Sequence, residues 1–225
     1  MVYSKIGKFS ILWRTDVEHF EILEEWRDVL TASGLGDLQS CLAFDSGKCL
    51  SSHLRGDTRM VTLSDGRIVF LKRDFFTFKK EIAKDILRFC KPQPKTEKER
   101  LAFAMARDAG FTAPQVIAWG QMRRCGFPNT ACLIMLPLDG INLDKYLKTE
   151  TDEEKRRSFI AKAEETLAAV QKKGFDWPDH KPEHFFVMND GTIGLIDLER
   201  LRYIGHPLAE AKSAAQLARF RKLLP

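Results

Sequence analysis

The apolar positions near the start of the chain recur at helical spacing. These positions, three or four residues apart among acidic and other polar residues, are Val17, Phe20, Leu23, Trp26 and Leu30. A stripe of this kind is typical of an amphipathic helix that packs on a larger body. It predicts a helix over residues 16–30.

The pattern changes after Cys49. The stretch "RMVTLSDGRIVFLKRD", residues 59–74, contains two β-rich runs separated by Ser64, Asp65 and Gly66. A short polar segment that contains glycine is a strong turn signal between two strands, so the stretch predicts a hairpin. Lys72 then lies near the end of its second strand.

The middle of the chain predicts two more helices and two buried strands. A basic amphipathic segment, Phe78–Phe89, ends at "KPQPK", because its two prolines cannot continue a helix. A helix over Thr96–Ala109 follows and stops at Gly110. The apolar runs "APQVIAWG" and "ACLIMLPLDG" predict short strands, and "GINLDKYL" predicts a small helix.

The clearest helical pattern covers Thr151–Lys173, where Thr151 and Glu154 have the spacing of a capping box. The next stretch, "HFFVMNDGTIGLID", predicts a second tight hairpin with its turn at "NDG". An alanine-rich helix is expected from about Pro207.

Strands come first and helices mostly later, which predicts an α+β fold with two lobes. We assign residues 1–136 to an N-terminal lobe with an N-terminal helix, a β-sheet and a further helix. Residues 137–225 form a C-terminal lobe with the polar stretch "FDWPDHKPEHFF".

Composition narrows the class of protein. The chain has 225 residues, 44% of them hydrophobic, which is enough for one substantial domain or two small lobes. Its five cysteines never occur in C-x-x-C spacing, so neither a disulfide framework nor a zinc ribbon is indicated, and a reducing cytoplasm fits. No apolar run reaches the length of a membrane span or signal peptide. The net charge of +5 is mild, and no nucleic-acid recognition motif is present.

Four polar residues fall at the ends of predicted elements. Lys72 closes a strand and Glu99 lies in the first turns of a helix, while Asp179 and Asp197 flank the second hairpin. A lysine paired to a helix glutamate, an aspartate near a hydroxyl and an aspartate for Mg²⁺ are the groups that phosphoryl transfer requires. Such a reaction needs charge neutralisation and positioning, and no serine or cysteine nucleophile.

Several motifs resemble one known superfamily. "DHKPEH", residues 179–184, resembles the catalytic loop D-x-K-P-E-N of protein kinases, and "LID", residues 195–197, is similar to the start of the metal-binding D-F-G. Within that superfamily the chain resembles the bacterial lipopolysaccharide core sugar kinases (heptose and Kdo type). This second resemblance is carried by "VFLKRD", "KERLAFAMARDAGFTAPQVIAWG", "IMLPLDGINLDKYL" and "LIDLERLR", over roughly residues 50–205.

The resemblance implies a protein-kinase-like fold and a role for each matching residue. Asp179 would orient or deprotonate the acceptor hydroxyl, and Lys181 would neutralise the transferred phosphoryl group. Lys72 would clamp the phosphates of ATP with Glu99 as its partner. Asp197 would bind Mg²⁺. His184 stands where protein kinases have the loop asparagine, and it would be the second metal ligand.

The chain departs from the protein-kinase pattern at two places. Trp177 and Pro178 precede Asp179 where His-Arg is usual, and the phosphate-covering loop has one glycine, Gly56. In place of a glycine-rich loop, we expect backbone amides around Gly56, with His53, Arg55 and Arg59 nearby, to contact the nucleotide phosphates. The short C-terminal lobe favours a small-molecule or glycolipid acceptor.

Alternatives remain open at single residues. Glu99 is also spaced to complete a capping box with Thr96, in which case Glu97 would be the partner of Lys72. His180 and His184 are spaced as a helical zinc pair, although Pro182 between them disfavours a regular helix.

The function expected is an ATP- and Mg²⁺-dependent kinase of a sugar hydroxyl in the lipopolysaccharide inner core, acting in the cytoplasm. A kinase for an aminoglycoside-like or choline-like acceptor and a pseudokinase that only binds are the alternatives. The basic segment "KRDFFTFKKEIAKDILRFCK", residues 72–91, is compatible with peripheral contact at the inner face of the bacterial inner membrane, and equally with packing on the small lobe.

Overall fold

The computed structural model of the protein describes residues 16–225. A six-stranded antiparallel sheet forms the first half of the fold, in the spatial order β1-β5-β6-β4-β3-β2. Its strands are β1 (Val17–Ile22), β2 (Lys48–His53), β3 (Gly56–Thr62), β4 (Ile68–Asp74), β5 (Val116–Arg124) and β6 (Phe127–Met135). Lys72 pairs with Thr58 on one side and Leu133 on the other, so it lies in the interior of the sheet.

Helices flank the sheet and dominate the second half of the chain. They are α1 (Arg27–Ala32), α2 (Leu38–Ala43), α3 (Lys79–Leu87), α4 (Lys95–Asp108), α5 (Leu143–Thr149), α6 (Glu153–Lys172) and α7 (Glu210–Lys222). The expectation of an α+β fold is confirmed. The boundary between lobes at residue 136 stays a prediction.

Two small sheets complete the second half. Their strands are β7 (Gly140–Asn142), β8 (Phe175–Asp176), β9 (Phe185–Met188), β10 (Ile193–Leu195) and β11 (Arg202–Tyr203). They form the sheets β10-β9-β7 and β11-β8. Both predicted hairpins are present, and the glycine of each turn, Gly66 and Gly191, has the positive φ that its turn requires.

The prediction of a helix over residues 16–30 is wrong for the first half of that range. Residues 17–22 form the edge strand β1, which pairs with β5 from Val17 opposite Arg123 to Ile22 opposite Ala118. Phe20 and Ile22 are its less exposed residues, which is the two-residue period of a strand. Pairing with a neighbouring strand therefore outweighs the helical spacing. The second half is helical, as a 3₁₀ turn followed by α1.

The helix predicted from Thr151 begins at a different cap. The side chain of Asp152, not Thr151, accepts hydrogen bonds from the backbone N–H groups of Glu154 and Lys155. The predicted capping box is therefore replaced by a single aspartate cap.

Two apolar clusters hold the fold together. One lies between the sheet and the helices α1 and α2, with Leu30, Leu38 and Ile134 fully buried. The other joins α4 to the second half of the chain and contains Phe103, Trp177, Phe185 and Phe220. Because α4 packs on the helical half as well as on the sheet, Glu99 is held at the junction between them.

Candidate active site

Lys72 and Glu99 form an ion pair at the centre of the molecule. The side chains of β4 alternate, so Lys72 points away from the core face that buries Leu71. Its Nζ lies 2.5 Å from Oε2 of Glu99, whose side chain is 2% exposed. Glu97 pairs instead with Arg100, at 2.8 Å. The structure thus brings Lys72 together with Glu99, not Glu97.

The capping box expected at Thr96 does not form. The backbone N–H of Thr96 donates to Oδ2 of Asp74 at 2.8 Å, so a carboxylate from β4 caps the first turn of α4. This contact fixes α4 against the strand that carries Lys72. It leaves Glu99 free to face the lysine.

Surrounding carboxylates keep Lys72 charged. Burial by itself lowers the pKa of its ammonium, but the carboxylates of Glu99 and Asp197 outweigh burial and raise that pKa. At Asp74 burial dominates and raises the pKa of the carboxyl, although the N–H of Thr96 and the charge of Arg55 oppose it.

Asp197 links the lysine to the second half of the site. It follows β10 and has a φ of 53°, a left-handed conformation that aspartate tolerates better than most residues. Its Oδ1 lies 3.7 Å from Nζ of Lys72, and its Oδ2 lies 3.3 Å from Nε2 of His184. Strained backbone of this kind is common where a side chain must be aimed into a site.

The loop between β8 and β9 is fixed by backbone hydrogen bonds. Nδ1 of His184 lies 2.7 Å from the carbonyl oxygen of Asp179, and the carbonyl of His184 accepts from the N–H of Ile196. The loop is thereby tied to the segment that carries Asp197. Trp177 is fully buried, and its indole ring stacks on His184 with ring centroids 6.4 Å apart.

His180 does not form a zinc pair with His184. It is fully buried, and its two ring nitrogens lie 2.5 Å and 2.7 Å from the carbonyl oxygens of Trp177 and Gln216. Both nitrogens are therefore occupied by the backbone, and the ring anchors the loop to α7.

Asp179 and Lys181 face outward from this loop. Within residues 16–225, the carboxylate of Asp179 makes neither a hydrogen bond nor an ion pair with a side chain. Lys181 is 40% exposed at its side chain, with Nζ 3.3 Å from Oε1 of Glu183. An aspartate and a lysine in this condition are available to a substrate.

A cavity of about 230 Å³ opens beside Lys72 and Asp197. Gly56 lines it, but a side chain there would collide with the carbonyl oxygen of Arg73, so the close approach of β3 and β4 already requires glycine. Arg59 is not among the lining residues. Its guanidinium pairs with Asp57 at 3.0 Å and with the carbonyl of Asp45, which directs it away from the cavity.

The surroundings of Asp197 suit a small cation. A carbonyl oxygen can only accept, so the contact between His184 and Asp179 places the proton of a neutral imidazole on Nδ1. In this neutral form, Nε2 and Oδ2 of Asp197 are two acceptors 3.3 Å apart that would hold a cation between them. Mg²⁺ typically takes one or two protein ligands together with phosphate oxygens, and it prefers oxygen to nitrogen. In the part of the chain that the structure describes, no three His, Cys, Asp or Glu residues gather as a metal site.

Sequence reasoning missed several charged residues of the cavity, among them Asp74, Lys95 and Glu199. Asp74 lies two positions after Lys72 on the same strand, so strand alternation could have placed the two on one face. Lys95 and Glu199 also line the cavity and pair at 2.8 Å. They are 104 residues apart, and no local pattern indicates their contact.

Comparisons with known proteins agree with this geometry. A solved structure described as WaaP in complex with acyl carrier protein matches with a TM-score of 0.64 and 15% sequence identity, over 90% of this chain and 80% of that chain. At that identity the likeness shows the fold. No curated protein matches the sequence. The model of the lipopolysaccharide kinase (Kdo/WaaP) family matches residues 47–223, which include every site residue discussed above. The chain therefore belongs to the lipopolysaccharide kinase (Kdo/WaaP) family and is a phosphotransferase of the kinase class.

Proposed function

We propose that this protein transfers the γ-phosphate of ATP to a sugar hydroxyl of the lipopolysaccharide inner core, in the presence of Mg²⁺. The observation that carries the proposal is the position of Lys72, whose Nζ lies 2.5 Å from Glu99 and 3.7 Å from Asp197. A charged lysine held between two carboxylates from different elements is poised to bind phosphate oxygens. The family match supports lipopolysaccharide as the acceptor.

Each residue contributes a separate effect. Lys72 binds phosphate oxygens of ATP, and Glu99 keeps its ammonium in place. Asp179 accepts a hydrogen bond from the acceptor hydroxyl and takes its proton as the hydroxyl oxygen bonds to the γ-phosphorus. The bond from that phosphorus to the β–γ bridging oxygen breaks, and ADP leaves. Lys181 lies two residues further along the same loop, where its charge stabilises the oxygens of the transferred group.

Asp197 and His184 are the residues that would hold Mg²⁺. When bound, the ion would neutralise charge on the phosphate oxygens. The facing acceptors of these two residues support the assignment. Gly56 contributes backbone to the cavity, whereas Arg59 would have to leave Asp57 before it could contact phosphate.

We further propose that the protein works in the cytoplasm, at the inner face of the inner membrane. Among residues 16–225, none of the helices has both the length and the apolar character to cross a bilayer. Contact with the membrane would then be peripheral.

The acceptor is tested by offering the purified protein labelled ATP with three kinds of acceptor: core glycolipid, soluble sugars and amino alcohols. Transfer to core glycolipid, with a gain of one phosphate on an inner-core sugar by mass spectrometry, is the expected result. Transfer to an amino alcohol or aminoglycoside alone would show a kinase for another small molecule. Binding of ATP without transfer to any acceptor would indicate a pseudokinase.

A further inference from the structure

The outward face of α3 carries apolar and basic residues together. Its exposed residues are Lys79, Lys80, Ala83, Lys84, Ile86 and Leu87. At 100° per residue these positions occupy one side of the helix, and the opposite side holds Glu81, Ile82 and Asp85.

The polarity of this helix is inverted relative to an ordinary surface helix. Ile86 is 50% and Leu87 is 80% exposed, whereas Asp85 is buried. Its acidic residues face inward because both form ion pairs there: Glu81 pairs with Arg55 at 3.0 Å, and Asp85 with Lys98 at 2.7 Å. Large apolar side chains left outside by such an arrangement indicate a surface that something else covers.

The residue after the helix extends this surface. Phe89 is fully exposed and has a φ of 56°. The N–H of Cys90 donates to the carbonyl of Asp85 at 2.9 Å, which closes a Schellman-type turn in which glycine is the usual residue at the position of Phe89. An exposed phenylalanine thus occupies an unfavourable backbone conformation and makes no core contact that would offset it.

The charge of the surface selects its partner. The exposed basic residues here are Lys79, Lys80, Lys84, Arg88 and Lys91, and within residues 16–225 none of them has an ion-pair partner. No exposed acidic residue lies between Lys79 and Lys91. A second copy of the chain would bring like charges together in a two-fold contact, which disfavours self-association.

The exposed residues of α3 together with Arg88, Phe89 and Lys91 form a surface called here the α3 face. We propose that the α3 face binds anionic lipid. Its apolar side chains enter the boundary between headgroups and acyl chains, and its lysines and arginine pair with lipid phosphates. Arg55 lines the cavity beside Lys72 and also pairs with Glu81 on the inward side of α3, so the helix that carries the α3 face is joined to the wall of the cavity. The inference rests on the proposed function, because an acceptor embedded in a membrane is what such a contact would serve.

The test is sedimentation of the whole protein with vesicles of phosphatidylcholine, and with the same vesicles containing phosphatidylglycerol. Binding is expected only to the anionic vesicles, and it should weaken as salt is raised. Lys84→Glu should weaken it about fivefold or more, and Leu87→Ser about tenfold. The matched controls, at the C-terminal end of α7, are Lys222→Glu and Leu223→Ser. They change an exposed lysine and an exposed leucine outside the α3 face and should bind as the original protein does.

Phe89→Gly separates binding from folding. Glycine suits the positive φ, so the thermal midpoint should stay the same or rise, while binding to anionic vesicles falls about tenfold. A fall in both stability and binding would indicate a structural role for Phe89 and contradict its place in the α3 face.

The proposed function is read separately, by phosphorylation of lipid-free core oligosaccharide. Unchanged transfer to this soluble acceptor, with loss of transfer to glycolipid in anionic vesicles, is expected for the α3 variants. If vesicle binding is absent, or is unaffected by those variants, the lipid inference is wrong whatever the enzyme phosphorylates. If the α3 face binds vesicles but no core acceptor is phosphorylated, the lipid inference stands and the proposed function fails.

Discussion

The two hairpins that deliver Lys72 and Asp197 differ in how their charges are balanced. On β4, Lys72 meets a buried carboxylate from α4 at 2.5 Å, so the protein itself compensates the charge. After β10, Oδ2 of Asp197 lies 3.3 Å from Nε2 of His184, and its Oδ1 reaches Nζ of Lys72 only at 3.7 Å. The charge in the first half of the site is therefore compensated within the fold, whereas the second half is where we propose that Mg²⁺ binds. Changes in the first half should cost stability, and changes in the second should cost activity.

The largest expected effect is on activity, in the second half. Asp197→Asn removes the charge that faces both Lys72 and His184 and should lower kcat/KM by about 10²- to 10³-fold or more, as loss of a transition-state charge partner does. The thermal midpoint should change little. Initial rates with core acceptor and differential scanning calorimetry measure the two, with Asp144→Asn on α5 as the control. If Asp197→Asn kept its rate but had a much lower thermal midpoint, the second half of the site would contribute to stability and not to activity, contrary to this account.

The next effect is on stability, in the first half. Lys72→Met leaves the buried carboxylate of Glu99 without its partner and should lower the free energy of unfolding by about 3–5 kcal/mol. Denaturant titration measures the loss. Adding Glu99→Leu should recover most of it, because both charges are then gone. Lys148→Met, which breaks an exposed pair with Asp144 on α5, should cost less than about 1 kcal/mol. Equal losses at the two sites would show that the pair of Lys72 and Glu99 is no more than a surface contact.

The third expected effect is a loss of stability at low pH, and it tests the contribution of the Asp57 carboxylate beside β4. Asp57 is buried beside Arg73 and Arg59; burial alone raises the pKa of its carboxyl, but hydrogen bonds from both arginines outweigh burial and lower that pKa. Since the folded pKa lies below the unfolded value of 3.8, the stabilisation is present above pH 3.8 and is lost as pH falls through the folded pKa. Asp57→Asn should cost about 1.5–3 kcal/mol at neutral pH, the range for hydrogen bonds to charged groups. Thermal unfolding at several pH values measures the difference in stability between Asp57→Asn and the original protein. This difference should shrink as pH falls below 3.8, and a difference that stays constant with pH would contradict the prediction.

The smallest effect lies outside the site, at the start of α6. Asp152→Ala removes the side chain that caps two backbone N–H groups and should cost about 1 kcal/mol. Thr151→Ala, at the position that sequence spacing favours, should be nearly neutral. Chemical denaturation measures the free energy of unfolding of both variants. A larger loss for Thr151→Ala than for Asp152→Ala would show that the predicted capping box forms after all.

Much of the fold could be predicted because its signals are local. The turns at Gly66 and Gly191 each need a residue that tolerates positive φ, and a glycine flanked by β-rich runs shows this in the sequence. The edge strand Val17–Ile22 could not be predicted in this way, because its state depends on hydrogen bonds to β5, about one hundred residues away.

The residues of the candidate site differ in the same way, because some have local sequence signals and others depend on distant contacts. Lys72 lies within β4 and Asp197 follows β10, two strands that the sequence reveals, so their approximate places were accessible. The choice of Glu99 over Glu97 was not, because it depends on Asp74 capping Thr96 from another element. The direction of Arg59 was accessible in principle, because its partner Asp57 lies two positions earlier on the same strand and strand alternation puts both on one face. The contact of Asp57 with Arg73, by contrast, joins two strands. Contacts set by tertiary packing have no signature at fixed spacing.

The most direct test of the central claim is transfer of labelled phosphate from ATP to core glycolipid by Asp179→Asn. Asp190→Asn, in the turn of the second hairpin, is the matched control, because its carboxylate only bonds Thr192. If Asp179 takes the proton of the acceptor hydroxyl, its variant should fold normally, bind ATP and lose transfer by about 10²- to 10⁴-fold. The control should keep its rate. Full transfer by a folded Asp179→Asn protein would contradict the account.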